Sequence, residues 1–189
     1  MCSAISALNG ASFEGAVTVA ETGLRGMITI RGNFADKGFV AALEAVLAAK
    51  LPVQRKTTSG KAGRLVWMSP DELLAVVDYD AAPALAAELR RALAGQHHLA
   101  EVVSDARAVF LLGGTGWREV LAKGSPADLA VTAFGAGDAR RSRLGQVAVA
   151  FWMVDAETCE LVCFRSVSGF VFDWLKTAAA PDTLPGYLR

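Results

Sequence analysis

Residues 102–124 read VVSDARAVFLLGGTGWREVLAKG, and the rest of the chain is understood outward from them. Arg107, Val109 and Leu111 alternate with Ala106, Ala108, Phe110 and Leu112. A strand here has two largely apolar faces and belongs inside a sheet. Gly113 to Gly116 end it, and Thr115 is placed to cap a short helix. Trp117, Val120 and Leu121 fall at i, i+3 and i+4, one buried stripe on that helix. Gly124 is expected to stop the helix as a left-handed residue.

Upstream, residues 1–20 mix small polar and apolar residues and suggest an N-terminal arm on the domain surface. Leu24, Ile28 and Ile30 share one face of a half-buried strand, with Arg25, Thr29 and Arg31 on the other. Asp36 can open a helix carrying Phe39, Val40, Leu43, Val46 and Leu47, closed by Leu51-Pro52. Residues 54–63 form a polar, basic segment expected to be a loop. A strand over residues 65–68 is followed by a cap-like turn with Pro70 at a first-helical position. A second strand over residues 73–77 then leads into a helix from Asp80 bearing Leu85, Leu89 and Leu93.

Downstream the plan repeats. Residues 125–142 form a polar, Gly-rich connection. Strands over residues 144–154 and 159–165 are joined by a turn at residues 155–158, where Asp155, Glu157 and Glu160 are expected to be solvated. Ser168 can cap a last helix whose Phe170, Val171, Trp174 and Leu175 share a face. Pro181, Pro185 and Gly186 make residues 180–189 an irregular tail. The expected fold class is α+β: two loosely repeated strand-helix-strand-strand-helix units with mainly antiparallel sheets. The chain forms a single domain with halves at about 20–97 and 98–180.

Composition narrows the function. Of 189 residues, 53% are apolar and 20% charged, and the 19 acidic and 19 basic side chains cancel. That balance exerts no long-range pull on nucleic acid or anionic lipid. Mean hydropathy is high at +0.35, yet no window approaches the run of about eighteen apolar residues that a membrane span needs. The first basic residue is Arg25, so no secretory n-region is expected and a cytoplasmic location follows. Both faces of the strand ending at Val154 are apolar, so part of that surface is expected to be covered by a partner.

Few residues invite a chemical role. Gly113-Gly114-Thr115-Gly116 lies where backbone amides can hold an anion. It lacks the full dinucleotide fingerprint and the Lys-Ser/Thr of a P-loop, so a tight turn is favoured. His97-His98 has no acid or cysteine at ligand spacing. Cys159 and Cys163 lie four apart on a strand, their Cα atoms roughly 13 Å apart, too far for a disulfide. They read as packed thiols, and Cys2 has no partner base. Asp105 and Arg107 are expected on one strand face as an orienting pair. Arg140, Arg141 and Arg143 are the densest positive group and the candidate partner interface, because arginine forks suit carboxylates. No catalytic, cofactor-binding or metal-binding residue emerges.

The ordered succession of short motifs resembles the gamma subunit of heterotetrameric sarcosine oxidase. It runs through Gly26–Gly32, Trp67–Leu73, Ser104–Arg107, Arg118–Lys123, Asp128-Leu129, Ala133–Gly135, Arg140, Arg141 and Arg143, and Phe164–Ser166. That resemblance covers nearly the whole chain. It implies a fold related to the folate-binding domain of the glycine-cleavage aminomethyltransferases. It further implies a complex with alpha, beta and delta subunits that demethylates sarcosine to glycine, with hydrogen peroxide and methylenetetrahydrofolate as further products. FAD, FMN, NAD, tetrahydrofolate and zinc would all be held by the partners. Two other functions are consistent with the residues, a free-standing folate-dependent aminomethyltransferase-like enzyme and a solitary binding module. Against the former stands the lack of a carboxylate placed to pair with a pterin.

Overall fold

The computed structural model describes residues 3–188, and the expectation for Cys2 lies outside the described residues. In chain order the elements are β1 (Ser12–Phe13), β2 (Thr18–Glu21), β3 (Gly26–Gly32), α1 (Lys37–Leu47), β4 (Thr57–Gly60), β5 (Gly63–Ser69), β6 (Glu72–Val77), α2 (Ala82–Ala92) and β7 (His98–Val102). They continue with β8 (Arg107–Gly113), α3 (Trp117–Ala122), β9 (Ala139–Leu144), β10 (Val147–Asp155), β11 (Thr158–Phe164) and α4 (Ser168–Ala178). Short 3₁₀ turns at Ser104–Ala106 and Arg165–Val167 precede β8 and α4. Every strand pair among the described residues is antiparallel, giving the α+β class expected.

The chain divides into two units, one continuous over Arg25–Ser104 and one built from the residues up to Leu24 and from Asp105 onward. The continuous unit holds the five-stranded sheet β4-β5-β6-β3-β7. Its core joins Ile28, Ile30, Leu65 and Leu73 of the sheet to Phe39, Leu43 and Leu47 of α1 and Leu89 of α2. Helix α1 begins as expected, with Asp36 Oδ1 accepting the Phe39 amide at 2.9 Å. Ala48, at φ 47°, closes it ahead of Leu51-Pro52. The other unit holds the six-stranded sheet β1-β2-β8-β11-β10-β9. There Phe110, Leu112, Phe151 and Leu161 pack with Trp117, Val120 and Leu121 of α3 and Val171 and Leu175 of α4. Each such fully buried side chain stabilises by ~1.5–3 kcal/mol.

The sheet orders expose a repeat more regular than the expected one. Each unit runs strand, helix, three strands, helix, so each carries one hairpin strand more than its sequence suggested. In order, β4-β5-β6-β3 corresponds to β9-β10-β11-β8. The fifth position is filled by β7, after α2, in one sheet and by β2, ahead of β8, in the other.

The two added strands, β4 and β9, are both polar edge strands without an apolar alternation to announce them. β4 occupies the segment expected as a loop at 54–63. β9 takes the end of the expected 125–142 connection, so Leu144–Val154 is not one strand. It is the end of β9, a turn at Gly145 (φ 58°) and β10. Ser69 and Glu72 pair across a hairpin turn rather than starting a helix. Residues 12–21 are not a surface arm, because β2 pairs with β8 and buries Val19 completely. Both faces of β10 are buried in the chain itself, from Val149 at 4% exposed to Trp152 at 0%. The exposed apolar strand face expected there is absent.

Candidate functional site

Helix α3 and the connection after it hold the densest set of buried charged and aromatic groups. All of Trp117 to Leu121 is buried, so a six-residue helix has no solvent face on which to leave Arg118 and Glu119. Arg118 is 6% exposed and lies between aromatic rings, its guanidinium carbon 4.5 Å from the Trp117 centroid and 5.9 Å from that of Phe134. It donates through Nη1 to the carbonyls of Leu129 (2.9 Å) and Phe134 (2.8 Å), and through Nη2 to Met153 Sδ at 3.2 Å. Desolvation lowers its pKa, though a guanidinium stays charged at any ordinary pH. Cation–π contact and three donated bonds offset the cost of burying that charge.

Glu119 points the other way and accepts the amides of Gly186 and Leu188, each at 2.8 Å. Glu21, also buried, accepts from Ser6 Oγ (2.8 Å), the Leu8 amide (3.1 Å) and the Gly10 amide (2.7 Å). Glu21 thus ties an irregular N-terminal segment to β2, Glu119 ties a C-terminal one to α3, and Arg118 ties down the loop ahead of β9. Sequence reasoning passed over all three. The available signal was that Trp117, Val120 and Leu121 leave so short a helix little room for a polar face.

The three arginines of the candidate interface have unequal surroundings. Arg140 alternates toward the core side of β9, opposite Phe151. Its guanidinium lies 4.9 Å from the Phe134 centroid, donates to the carbonyls of Ala139 (2.9 Å) and Ala133 (2.8 Å), and pairs with Asp138 at 3.6 Å. Arg141 and Arg143 lie on the other face of this edge strand and are exposed. They stand on a strand, not on the solvated loop expected from the glycines around them.

The remaining candidates are placed as follows. Gly114 has φ 113° and donates its amide to the Glu157 carbonyl at 2.8 Å, so the glycine run is a tight turn with a committed amide. Thr115 makes no capping bond, and Gly116 is the N-cap of α3. Gly124 is absent from the left-handed region, and the helix ends on ordinary αR geometry at Lys123. A Cβ at Gly124 would enter the Trp174 indole, so close packing, not handedness, calls for glycine there. Asp105 sits in the 3₁₀ turn before β8, off the strand that carries Arg107, so the expected i, i+2 face is not formed.

His98 Nδ1 lies 2.8 Å from the Gln96 carbonyl, and among the described residues no group of three or more potential metal ligands gathers. Cys159 and Cys163 are buried free thiols. Burial pushes Cys163 up to about 12, and Cys159 higher still, with the neighbouring Glu160 adding to the latter. Both stay protonated and unreactive at neutral pH. Glu160 is buried rather than solvated, accepting from Trp152 Nε1 at 2.7 Å. The last helix turns Val171, Leu175 and Ala178 inward and leaves Phe170 52% exposed, and Ser168 lies inside it rather than capping it.

Comparison with known proteins agrees with this architecture. Residues 31–181 match the family described as sarcosine oxidase, gamma subunit family. The sarcosine oxidase subunit gamma of Corynebacterium sp. (strain P-1) is 31% identical over 169 residues, covering 88% of this chain and 82% of that protein. The Arthrobacter sp. counterpart is 34% identical over 143 residues, 75% of this chain and 69% of that one. A chain of the heterotetrameric sarcosine oxidase from Corynebacterium sp. U-96 superposes with TM-score 0.80 at 27% identity, covering 89% and 87% of the two chains. The glycine cleavage system aminomethyltransferase T of Bartonella henselae shares the fold at TM-score 0.58 and 16% identity, over 83% of this chain and 45% of that one. The chain therefore belongs to the sarcosine oxidase gamma subunit family.

Proposed function

We propose that this chain is the non-catalytic gamma subunit of a heterotetrameric sarcosine oxidase, in which it serves assembly. The carrying observation is the 0.80 TM-score, over nearly the full length of both chains, to a chain of such a heterotetramer. The partners are alpha, beta and delta subunits, the setting is cytoplasmic, and FAD, FMN, NAD, tetrahydrofolate and zinc reside on those partners. The complex demethylates sarcosine oxidatively to glycine, releasing hydrogen peroxide and forming methylenetetrahydrofolate. On this reading the hydride acceptor and the carboxylate which that chemistry needs lie on the partners. A non-catalytic role is supported by where its buried charges go. Arg118, Glu119 and Glu21 are spent on backbone groups of their own chain, and its two buried thiols are held protonated.

The docking contact falls to the exposed part of the arginine cluster, Arg141 and Arg143 on edge strand β9. The test is reconstitution of the oxidase with and without this chain, and with Asp105→Asn. Omitting the chain lowers the yield or lifetime of the complex. Asp105→Asn leaves turnover within about threefold, under about 0.7 kcal/mol of barrier. A hundredfold loss in Asp105→Asn with assembly intact would make this a catalytic subunit.

A further inference from the structure

The strand equivalent to β9 in the other sheet, β4, is polar without being basic, but basic residues flank it on both sides, and beside its hairpin lies a concavity. Between Glu44 and Asp71 the sequence has no acidic residue but holds Lys50, Arg55, Lys56, Lys61 and Arg64. The β4–β5 hairpin folds part of that run into a pocket of about 520 Å³. Lys61 and Arg64 line it together with Ser59, Arg25 and Asp78, and the ends of Val76 and Val77 complete the wall.

The hairpin that shapes this pocket is tightly fixed. Gly60 and Gly63 pair across its two-residue turn. A Cβ on Gly60 would strike the Ala48 carbonyl, and one on Gly63 (φ 141°) would strike that of Val76. The backbone around the pocket is therefore held close on both sides.

Several other cations of the unit have a carboxylate partner. Arg31 pairs with Glu72 at 2.7 Å, Lys50 with Glu44 at 2.7 Å and Arg90 with Glu101 at 3.0 Å. Lys61 and Arg64 have no carboxylate partner among the described residues. Half-buried Arg64 has one long contact, Nη1 to Thr57 Oγ1 at 3.4 Å. A half-buried guanidinium that shares a polar concavity with a lysine is completed by an oxyanion that takes the arginine fork. Asp78, the only carboxylate in the lining, opposes a bare anion.

We propose that this pocket binds a small oxyanion, phosphate or carboxylate, between Arg64 and Lys61. The proposal stands independently of the assembly role. Its test is calorimetric titration of inorganic phosphate, and separately of citrate, into the full-length chain at constant low ionic strength. Saturable binding of at least one is expected, and the one that binds identifies the headgroup. Arg64→Gln and Lys61→Ala should each raise Kd about fivefold to tenfold, and Asp78→Asn should lower it about threefold or more. Circular dichroism on each variant checks that the fold is kept. No saturation by either anion overturns the proposal. So does binding that none of the three variants moves, which would be diffuse association with a charged surface.

Discussion

At the scale of single residues, Arg118, Glu119 and Gly124 sit within seven positions of one another and are each fixed by something distant in sequence. Arg118 answers carbonyls at 129 and 134, Glu119 answers amides at 186 and 188, and Gly124 makes way for Trp174. The local pattern WREVLAKG hints that the helix lacks a polar face, but not which groups Arg118, Glu119 and Gly124 meet. For Gly124 the two explanations give opposite rankings of substitutions. Were it a left-handed helix stop, asparagine would be tolerated better than alanine. Because the limit is the indole of Trp174, the larger side chain is the worse one. Gly124→Ala should cost about 1–3 kcal/mol by overpacking and Gly124→Asn more. Chemical denaturation of both variants checks the order, and a more stable asparagine variant would restore the left-handed explanation.

At the scale of elements, the helices and most central strands were legible, while β2 and the edge strands were not. Asp36 followed by Phe39, Leu43 and Leu47 announces α1 through a cap and a 3.6-residue period. β6 and β8 announce themselves as apolar runs that a sheet interior requires. The strands TTSG and ARRSRL carry no such period. They are strands because β5 and β10 offer unpaired backbone groups beside them. This changes what the arginine cluster means, since strand alternation sends Arg140 one way and Arg141 and Arg143 the other. Truncating Arg143 should weaken subunit association by about 2 kcal/mol or more, with reduced salt dependence, if it pairs with a partner's carboxylates at a desolvated interface. Arg140→Ala should instead lower the stability of the isolated chain, because it strips the Ala133 carbonyl and Phe134 of their partner. Association that is indifferent to Arg143→Ala across a salt titration would move the interface elsewhere.

At the scale of the whole molecule, the two units differ in how the chain closes them. One takes its fifth strand, β7, from residues that directly follow α2; the other waits for β8 to fold back beside β2, with Thr18 opposite Gly113. The N-terminal residues therefore complete a sheet whose other strands begin nearly ninety positions later. Removing residues 1–21 takes buried Val17 and Val19 from the core and leaves β8 as an unprotected edge. The expected loss is at least about 3 kcal/mol from the two valines alone, with aggregation on heating. Thermal denaturation of the truncated chain measures it, and an unchanged midpoint would return these residues to the status of a surface arm.

By itself the sequence determined the α+β class, the antiparallel hairpins, the four helices and the family, because each is written in local periods, caps and an ordered set of short motifs. Cys159 and Cys163 as packed thiols belong with these, since four-residue spacing on an apolar strand leaves one face for both. Only the tertiary structure decided that polar segments 57–60 and 139–144 are strands and that Glu160 is buried against Trp152. It alone separated Arg140 from its two neighbours and gave Glu21 and Glu119 the chain ends to hold. The physical reason is common to all of these. A strand edge, a buried charge or a close-packed glycine is specified by the group that meets it, and here that group lies many residues away.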